Sequence, residues 1–497
     1  MPEATTGGTG AAVVTGASWT ALSRAGQQVF QMVSAAVLAR LVPQRAYGLV
    51  AMAQVFIGFA GLFREIGASA AIVREKQLDD DLLTSLFWLN LAMSFCVTLA
   101  CCLSAPLVAR FYKEPALTHV FQALSLYFAI SAAASVHANL MARSFQFKRA
   151  AAVELLAAAA SLIVAVVSAA LGAGVWSLVT GALASAVVMS ALFISLSPWH
   201  PALRFSSRRL RPLMGFGLNL SGFNFVTYFS RNADNLLIGK YLGAAPLAYY
   251  NFAYTLMLYP LQTITWNLGR VLFSAFARMQ DEPERFGRAY LRACTTIAFV
   301  TFPLMAGATA LAPEFIAVLL GPKWGPVAPV LRILAPVGMV QSITSTTGHI
   351  YTAMGKTGLM FRWGLIFTGI TLTGFVIGLH WGIGGVASSY ALVTLLTMVP
   401  ALSIPFRLIG LRLRDLWIAL WPVTRATAAM AVATVAFRRL LLGSIHLPAV
   451  VALLVFVPFG AAIYFGVMYW RSRQLLAEFT ALVRDGLGVF GRARLRM

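Results

Sequence analysis

The sequence predicts an all-α polytopic membrane protein with about fourteen transmembrane helices. Apolar residues make up 59% of the 497 residues and charged residues only 11%, whereas soluble domains average about 45–50% apolar and about 25% charged residues. Runs of about 20 apolar residues, each long enough to cross a bilayer as a helix, recur along the chain. This composition excludes a soluble globular enzyme, and it also excludes a disordered chain, which needs low hydrophobicity and high charge density.

The apolar runs give the order of the predicted spans. The first six are expected near 17–39, 46–66, 83–109, 117–141, 151–171 and 174–196. The second six are expected near 213–239, 246–273, 291–320, 326–354, 359–379 and 383–405, and the last two near 417–437 and 447–469. Because the connections between these spans are short, any function is expected to lie inside the helix bundle or in small loops.

The distribution of lysine and arginine predicts the orientation in the membrane. If both termini are cytoplasmic, the cytoplasmic segments hold about three times as many basic residues as the opposite side, as is usual for membrane proteins. This bias explains the formal net charge of +22 better than nucleic-acid binding does, because the basic residues are scattered between apolar runs. The N-terminus has no cleavable signal pattern, and the four cysteines show neither metal-site nor disulfide spacing. No metal and no cofactor are therefore expected.

Some aromatic and histidine residues are expected to have structural roles only. Trp176, Trp324 and Trp381 lie at the outer ends of spans, where an indole ring anchors a helix at the membrane surface. His137 and His349 lie inside spans, and interhelical hydrogen bonds are a better explanation for them than proton relay.

The chain is similar to itself at an offset of about 200 residues. LARLV at 38–42 corresponds to IGKYL at 238–242, and MAR at 141–143 corresponds to MGK at 354–356. We therefore predict two six-helix repeats of the same orientation around a central cavity, an arrangement that is typical of transporters with parallel repeats. The predicted parts are an N-terminal lobe at 1–203, a C-terminal lobe at 204–410, and two additional helices with a basic cytoplasmic tail at 411–497.

Polar residues recur at helical spacing in the first and seventh spans. They are Thr20, Arg24, Gln27, Gln31 and Ser34 in the first span and Asn224, Thr227, Arg231 and Asp234 in the seventh. Both sets lie on one face of a helix, and a shift of about 200 residues superimposes them. A charged group at bilayer depth costs at least about 2.5–3.5 kcal/mol, so it is kept where it faces a cavity or a partner. Both possibilities are open for Arg231, because Asp234 follows it by three residues.

Arginines outnumber acidic residues inside the predicted spans, so the cavity is expected to attract an anion. The planar guanidinium can bond two phosphate oxygens at once, which makes a pyrophosphate group the expected ligand. We predict that Arg24, Arg231 and the eighth-span Arg270 hold the pyrophosphate. The other predicted substrate-binding residues are Gln27, Gln31, Asn224 and Gln262, which would contact sugars or phosphate oxygens, and Asp234, which would pair with Arg231 in one state and release it in another.

Four segments resemble a known family. They are LARLVPQRAYGLVAMAQVF at 38–56, IGASAAIVREKQLDDDLLTSLFWLN at 66–90, APLVARFYKEPAL at 105–117 and RNADNLLIGKYLGAAPLAYYNFAY at 231–254. They are similar to the Wzx-type polysaccharide flippases of the multidrug/oligosaccharidyl-lipid/polysaccharide exporter superfamily, in particular to the branch that serves colanic acid and xanthan. The chain departs from this family at 65–68, where Glu-Ile-Gly-Ala replaces an Asp-Gly-Leu-Gly type turn, so no role is given to Glu65.

The resemblance implies a multi-pass protein of the bacterial inner membrane that moves an undecaprenyl-pyrophosphate-linked oligosaccharide to the outer leaflet by alternating access. It also implies membrane lipids and a polymerase of the same pathway as partners, and coupling to a proton or sodium gradient. Two alternatives remain: a cation-coupled multidrug exporter, which would need an acid-rich cavity, and a membrane polymerase or glycosyltransferase, which short outer loops disfavour. The sequence lacks a Walker A motif and an HExxH motif, so the protein is not expected to be an enzyme.

Overall fold

The computed structural model describes residues 6–64, 79–206, 228–229, 231–277, 279, 282–444 and 447–481. In the first half of the chain the helices are α1 (Thr6–Leu41), α2 (Gln44–Arg64), α3 (Asp80–Tyr112), α4 (Leu117–Arg143), α5 (Phe147–Ala170), α6 (Val175–Leu196) and α7 (231–242). In the second half they are α8 (Ala244–Ala277), α9 (Pro283–Ala310), α10 (Ala312–Leu319), α11 (Val327–Thr344), α12 (Thr347–Ala353), α13 (Thr357–Gly378), α14 (Gly382–Arg407), α15 (Leu413–Ser444) and α16 (Ala449–Arg471). No strand occurs within these described ranges.

Ten helical segments of the described chain are long and apolar enough to cross a membrane. One of them, Thr357–Arg407, contains both α13 and α14, and another, Val327–Ala353, contains α11 and α12. The predicted class, an all-α polytopic membrane protein, is therefore confirmed. The number of fourteen spans stays a prediction.

The ends of α3 show how the sequence places these helices. Asp80 and Asp81 lie in its first turn, where carboxylates interact favourably with the positive end of the helix dipole. At the other end Lys113 adopts the left-handed conformation with φ of 59°, and the backbone N–H groups of Lys113 and Glu114 donate to the carbonyls of Arg110 and Ala109. This arrangement closes the helix after Tyr112 and satisfies its last carbonyl groups.

Contacts divide the chain into two compact units, with the boundary between Ala248 and Tyr249 inside α8. In the first unit α1 packs against α5, α5 against α6, and α3 against α4. A methyl group added to Gly181 of α6 would lie 2.7 Å from the Cβ of Ala165 and 3.0 Å from the carbonyl oxygen of Ser161. The absence of a side chain at Gly181 therefore allows the close approach of α5 and α6.

In the second unit α9 packs against α11 and α15, α13 against α14, and α15 against α16. Trp324 does not anchor a helix at the membrane surface as predicted, because its side chain is fully buried in the protein. A short 3₁₀ turn, Pro322–Trp324, places the indole ring against Phe252 at 4.6 Å between ring centroids and against Tyr249 at 5.9 Å. Trp176 and Trp381 are exposed.

Helix boundaries and turns recur along the chain, which supports the predicted repeat. The starts of α2 and α8, at Gln44 and Ala244, are separated by about 200 residues, and the starts of α5 and α13 by about 210. The turns before α5 and α13 contain Phe145 and Gly355, both in the left-handed conformation with φ of 57° and 65°. This conformation is rare for a phenylalanine, so its occurrence at the matching position indicates a shared backbone design. The lobes at 1–203 and 204–410 and the additional segment at 411–497 stay a prediction.

Candidate functional site

A carboxylate inside the first unit binds one edge of α1. Ser23, which is 1% exposed, donates its hydroxyl to Oε2 of Glu154 on α5 at 2.6 Å. Gln27 donates its Nε2 to the same oxygen at 2.9 Å and to the Ser23 hydroxyl at 3.0 Å. Ser23 and Gln27 are four residues apart and hence on the same side of the helix. Neutral donors thus satisfy Oε2 of Glu154.

The adjacent edge of α1 carries Arg24 and Gln31, which are both exposed. They are seven residues apart, so two helical turns bring them to the same side. Neither side chain forms a hydrogen bond or an ion pair with the described part of the chain. The guanidinium of Arg24 is therefore not locked to a carboxylate, and this edge of α1 offers a free positive charge.

The polar residues of α7 separate into one exposed and one buried group. Arg231 is exposed, whereas Asp234 is 3% exposed and its Oδ1 accepts the backbone N–H of Asn235 at 2.8 Å. The two side chains are not paired in this structure, and Arg231 has no ion-pair partner among the residues that the structure describes. The pair that Asp234 is predicted to form with Arg231 in one state and to release in another is thus not formed here, and its role in the cycle stays a prediction.

Two contacts hold the C-terminal end of α7 against α3. Lys240 donates its Nζ to the carbonyl of Phe111 and lies 4.2 Å from the centroid of the Phe111 ring. A methyl group added to Gly239 would lie 2.7 Å from the Tyr112 ring. These contacts fix α7 within the first unit, so Arg231 is presented from a positioned helix.

The remaining predicted site residues are described less fully. Gln262 of α8 is exposed. Arg270 belongs to the same helix, but its side chain lies outside the described part of the structure, and Asn224 and Glu65 lie outside the described residues altogether. Their contacts with a ligand stay predictions.

Sequence reasoning missed the roles of Ser23 and Glu154. Glu154 is a carboxylate within an apolar stretch, and such a group requires donors. The signal for those donors was the four-residue spacing of Ser23 and Gln27 on α1. Gln27 was predicted to contact substrate, and in this structure its amide nitrogen binds Glu154.

His137 has a different environment from the one predicted. It is 2% exposed, and its ring lies 5.3 Å from that of Trp199 and 6.3 Å from that of Phe87. Its Nδ1 has no hydrogen-bond partner within the described residues. The predicted interhelical hydrogen bond is therefore not formed by this nitrogen, and aromatic packing surrounds the ring instead.

Two curated relatives match most of the chain. The lipopolysaccharide biosynthesis protein WzxC of Escherichia coli is 26% identical over 412 residues, which cover 82% of this chain and 84% of the relative. The succinoglycan biosynthesis transport protein ExoT of Rhizobium meliloti is 26% identical over 348 residues, which cover 70% of each chain.

Solved structures share the fold. A lipid II flippase MurJ in an inward closed conformation matches with a TM-score of 0.73 at 14% identity, covering 92% of this chain and 99% of that one. An inward-facing multidrug resistance MATE transporter matches with a TM-score of 0.60 at 16% identity, covering 77% and 94%. At these identities the similarity establishes the fold alone.

The model of one protein family, described as polysaccharide biosynthesis protein, matches residues 37–329. This range includes α2 to α10, the C-terminal end of α1 and Glu154 with its surroundings on α5. The match covers more than half of the chain and agrees with the relatives in polysaccharide biosynthesis. The chain therefore belongs to the polysaccharide biosynthesis protein family.

Proposed function

We propose that this protein is a flippase that moves an undecaprenyl-pyrophosphate-linked oligosaccharide across the bacterial inner membrane for exopolysaccharide synthesis. It does so by alternating access, and no covalent bond is formed or broken. The observation that carries the proposal is the exposed guanidinium of Arg24, which has no carboxylate partner in the described structure. The nearby carboxylate of Glu154 is held by Ser23 and Gln27.

The charge of Arg24 sets the chemistry of the ligand. A guanidinium at bilayer depth is costly unless it faces water or an anion. A pyrophosphate offers several oxygens to its planar fork and gains charge-assisted hydrogen bonds. Arg231 and Arg270 are the other proposed pyrophosphate ligands, while Gln31, Asn224 and Gln262 contact sugars or phosphate oxygens. Asp234 pairs with Arg231 in another state of the cycle. Gln27 contacts the substrate while its amide nitrogen stays bonded to Glu154.

The relatives support the substrate class. Their names concern lipopolysaccharide, teichuronic acid and succinoglycan biosynthesis, and a solved protein of the same fold is a lipid II flippase. A lipid-linked precursor of a surface polysaccharide is the substrate that unites these names. We also propose that both termini are cytoplasmic, that the lobes at 1–203 and 204–410 are the parts that move, that a proton or sodium gradient drives the cycle, and that a polymerase uses the product.

Transport by purified protein in liposomes tests this function. A lipid-linked oligosaccharide is placed in the inner leaflet, and its arrival outside is measured with a glycosidase that cannot cross the bilayer. Arg24→Ala is expected to lower the rate about tenfold or more, because one charge-assisted hydrogen-bonding group is worth about 1.5–3 kcal/mol. Arg24→Lys should retain part of the activity, since it keeps the charge but loses the planar fork.

Arg288→Ala is the matched control, because it removes an exposed arginine that forms a surface ion pair with Glu284. This variant should transport at the wild-type rate. Wild-type transport by Arg24→Ala at equal protein levels would refute the role of Arg24, and no transport by the wild-type protein would refute the function itself.

A further inference from the structure

A cavity of about 480 Å³ lies in the second unit between α9, α11 and α15. Each helix contributes residues three or four positions apart, so one face of each helix lines the space. Small side chains at Ala306, Ala310 and Ala431 leave room there. The charged lining residues are Arg332 of α11 and the neighbouring Arg438 and Arg439 of α15.

One of these three arginines is neutralised and two are not. Arg438 donates its Nε and Nη2 to Oε1 of Glu314 at 2.8 and 2.7 Å. Glu314 is 8% exposed, and its Oε2 has no hydrogen-bond partner in the described structure. Arg332 and Arg439 are exposed and form no hydrogen bond or ion pair with the described residues. The cavity therefore has a net positive charge.

Pro336 lies in the same face of α11 as Arg332. Because proline has no backbone N–H, it cannot donate to the carbonyl four residues earlier, which is the carbonyl of Arg332 itself. The helix continues through Pro336 to Thr344 without this one backbone hydrogen bond. Small side chains and clustered arginines on three helices thus line a pocket rather than a flat basic surface.

The position of the cluster makes it unusual. It lies where α9 ends and α11 begins, at the end of the unit opposite Arg285 and Arg288 of α9. The predicted topology places this end outside, where basic residues are depleted. Among the other basic residues assigned to the outer side, Arg45 pairs with Glu114 at 2.6 Å and Lys240 donates to the carbonyl of Phe111, whereas Arg110 is exposed.

We propose that this cavity binds a phosphate-bearing group at the outer end of the second unit. Two guanidinium groups without partners can each bond two phosphate oxygens, and the volume falls within the range of about 300–1,000 Å³ that is usual for ligand pockets. Glu314 is a positioning residue that orients Arg438. Because the proposal concerns binding alone, it stands or falls separately from the transport proposed above.

Native mass spectrometry of the full-length protein in detergent tests the proposal with three probes: inorganic pyrophosphate, undecaprenyl pyrophosphate and phosphatidylglycerol. The variant Arg332→Ala/Arg439→Ala is expected to weaken binding of at least one probe about tenfold or more. Arg110→Ala, which removes an exposed arginine of α3 that is assigned to the outer side, is the matched control and should bind like the wild type. Repeating the series in an Arg24→Ala protein removes binding by α1 from the comparison.

Two further variants distinguish a specific loss of phosphate binding from a loss caused by misfolding. Arg332→Lys/Arg439→Lys keeps the charge and should bind more weakly than the wild type but more tightly than the alanine variant. Glu314→Gln removes the negative charge while its amide oxygen can still accept from Arg438, so phosphate affinity should rise about threefold or more. Substitution of a residue with a merely structural role would not increase the affinity for phosphate.

The pattern across probes identifies the source of the phosphate. If the alanine variant loses binding of phosphatidylglycerol alone, the cavity is a site for a bulk lipid head group. If it loses binding of both pyrophosphate probes, the cavity is a site for the polyisoprenyl head group. If it loses binding of inorganic pyrophosphate alone, the cavity is a site for free phosphate. If each probe binds with the same affinity to the wild type, the lysine variant and Glu314→Gln, the proposal is overturned.

Discussion

At the scale of single residues, the contacts of Glu154 separate structural from functional charge. Two neutral donors on α1, Ser23 and Gln27, share one oxygen of this carboxylate. Arg24 lies between them in sequence but on the other edge of the helix, where it is exposed. A carboxylate held in this way forms no ion pair with Arg24, so the guanidinium keeps its hydrogen-bond donors available for an anion.

The same contacts predict the effect of removing Glu154. In Glu154→Ala the Ser23 hydroxyl and the Gln27 amide lose their acceptor between two packed helices, at a cost of about 1–3 kcal/mol. We expect the apparent unfolding temperature in detergent to fall, and to fall less for Glu154→Gln, which keeps an acceptor oxygen. Glu282→Ala, which removes an exposed carboxylate paired only on the surface with Arg285, should leave it unchanged. Equal stability of Glu154→Ala and the wild type would show that these bonds contribute nothing.

At the scale of helices, close packing depends on particular glycines. The same substitution at two helical glycines should have opposite effects. In Gly181→Ala the new methyl group would meet Ala165 on α5, so this variant should be destabilised by about 1–3 kcal/mol. In Gly369→Ala on α13 nothing lies within 4 Å, so the better helix propensity of alanine should stabilise by up to about 1 kcal/mol. Thermal unfolding of both variants in one detergent measures the difference, and a loss of stability at both positions would contradict the packing argument.

The length of the apolar runs predicted most helices, because a span must be long, apolar and internally hydrogen-bonded. It could not predict how Trp324 packs, since a 3₁₀ turn of three residues turns that ring from the membrane surface into the core. It also could not join Arg332 to Arg438, because contacts between helices far apart in sequence leave no local pattern. The polar face of α1 was predictable from its spacing, whereas the division of that face into a bound and a free edge required the position of α5.

At the scale of the whole molecule, the charge distribution predicts which loops lie outside. Alkaline phosphatase fused after Gly172, in the turn between α5 and α6, should be active because this enzyme needs the oxidising exterior. A fusion after Gly355, in the turn before α13, should be inactive, while green fluorescent protein at the same place should fluoresce. The reverse result at both positions would invert the proposed topology and place the cavity of Arg332 on the cytoplasmic side.

The bond network between α1 and α5 also constrains how the first unit can move. Separating these helices would break the hydrogen bonds that Ser23 and Gln27 donate to Oε2 of Glu154, and would leave the buried Ser23 hydroxyl without this acceptor. A rocking motion that carries both helices as one rigid body avoids this penalty, and a swing of α1 alone does not. The flexing points of the cycle are thus to be sought beyond this pair of helices, and a covalent staple joining them should leave turnover intact.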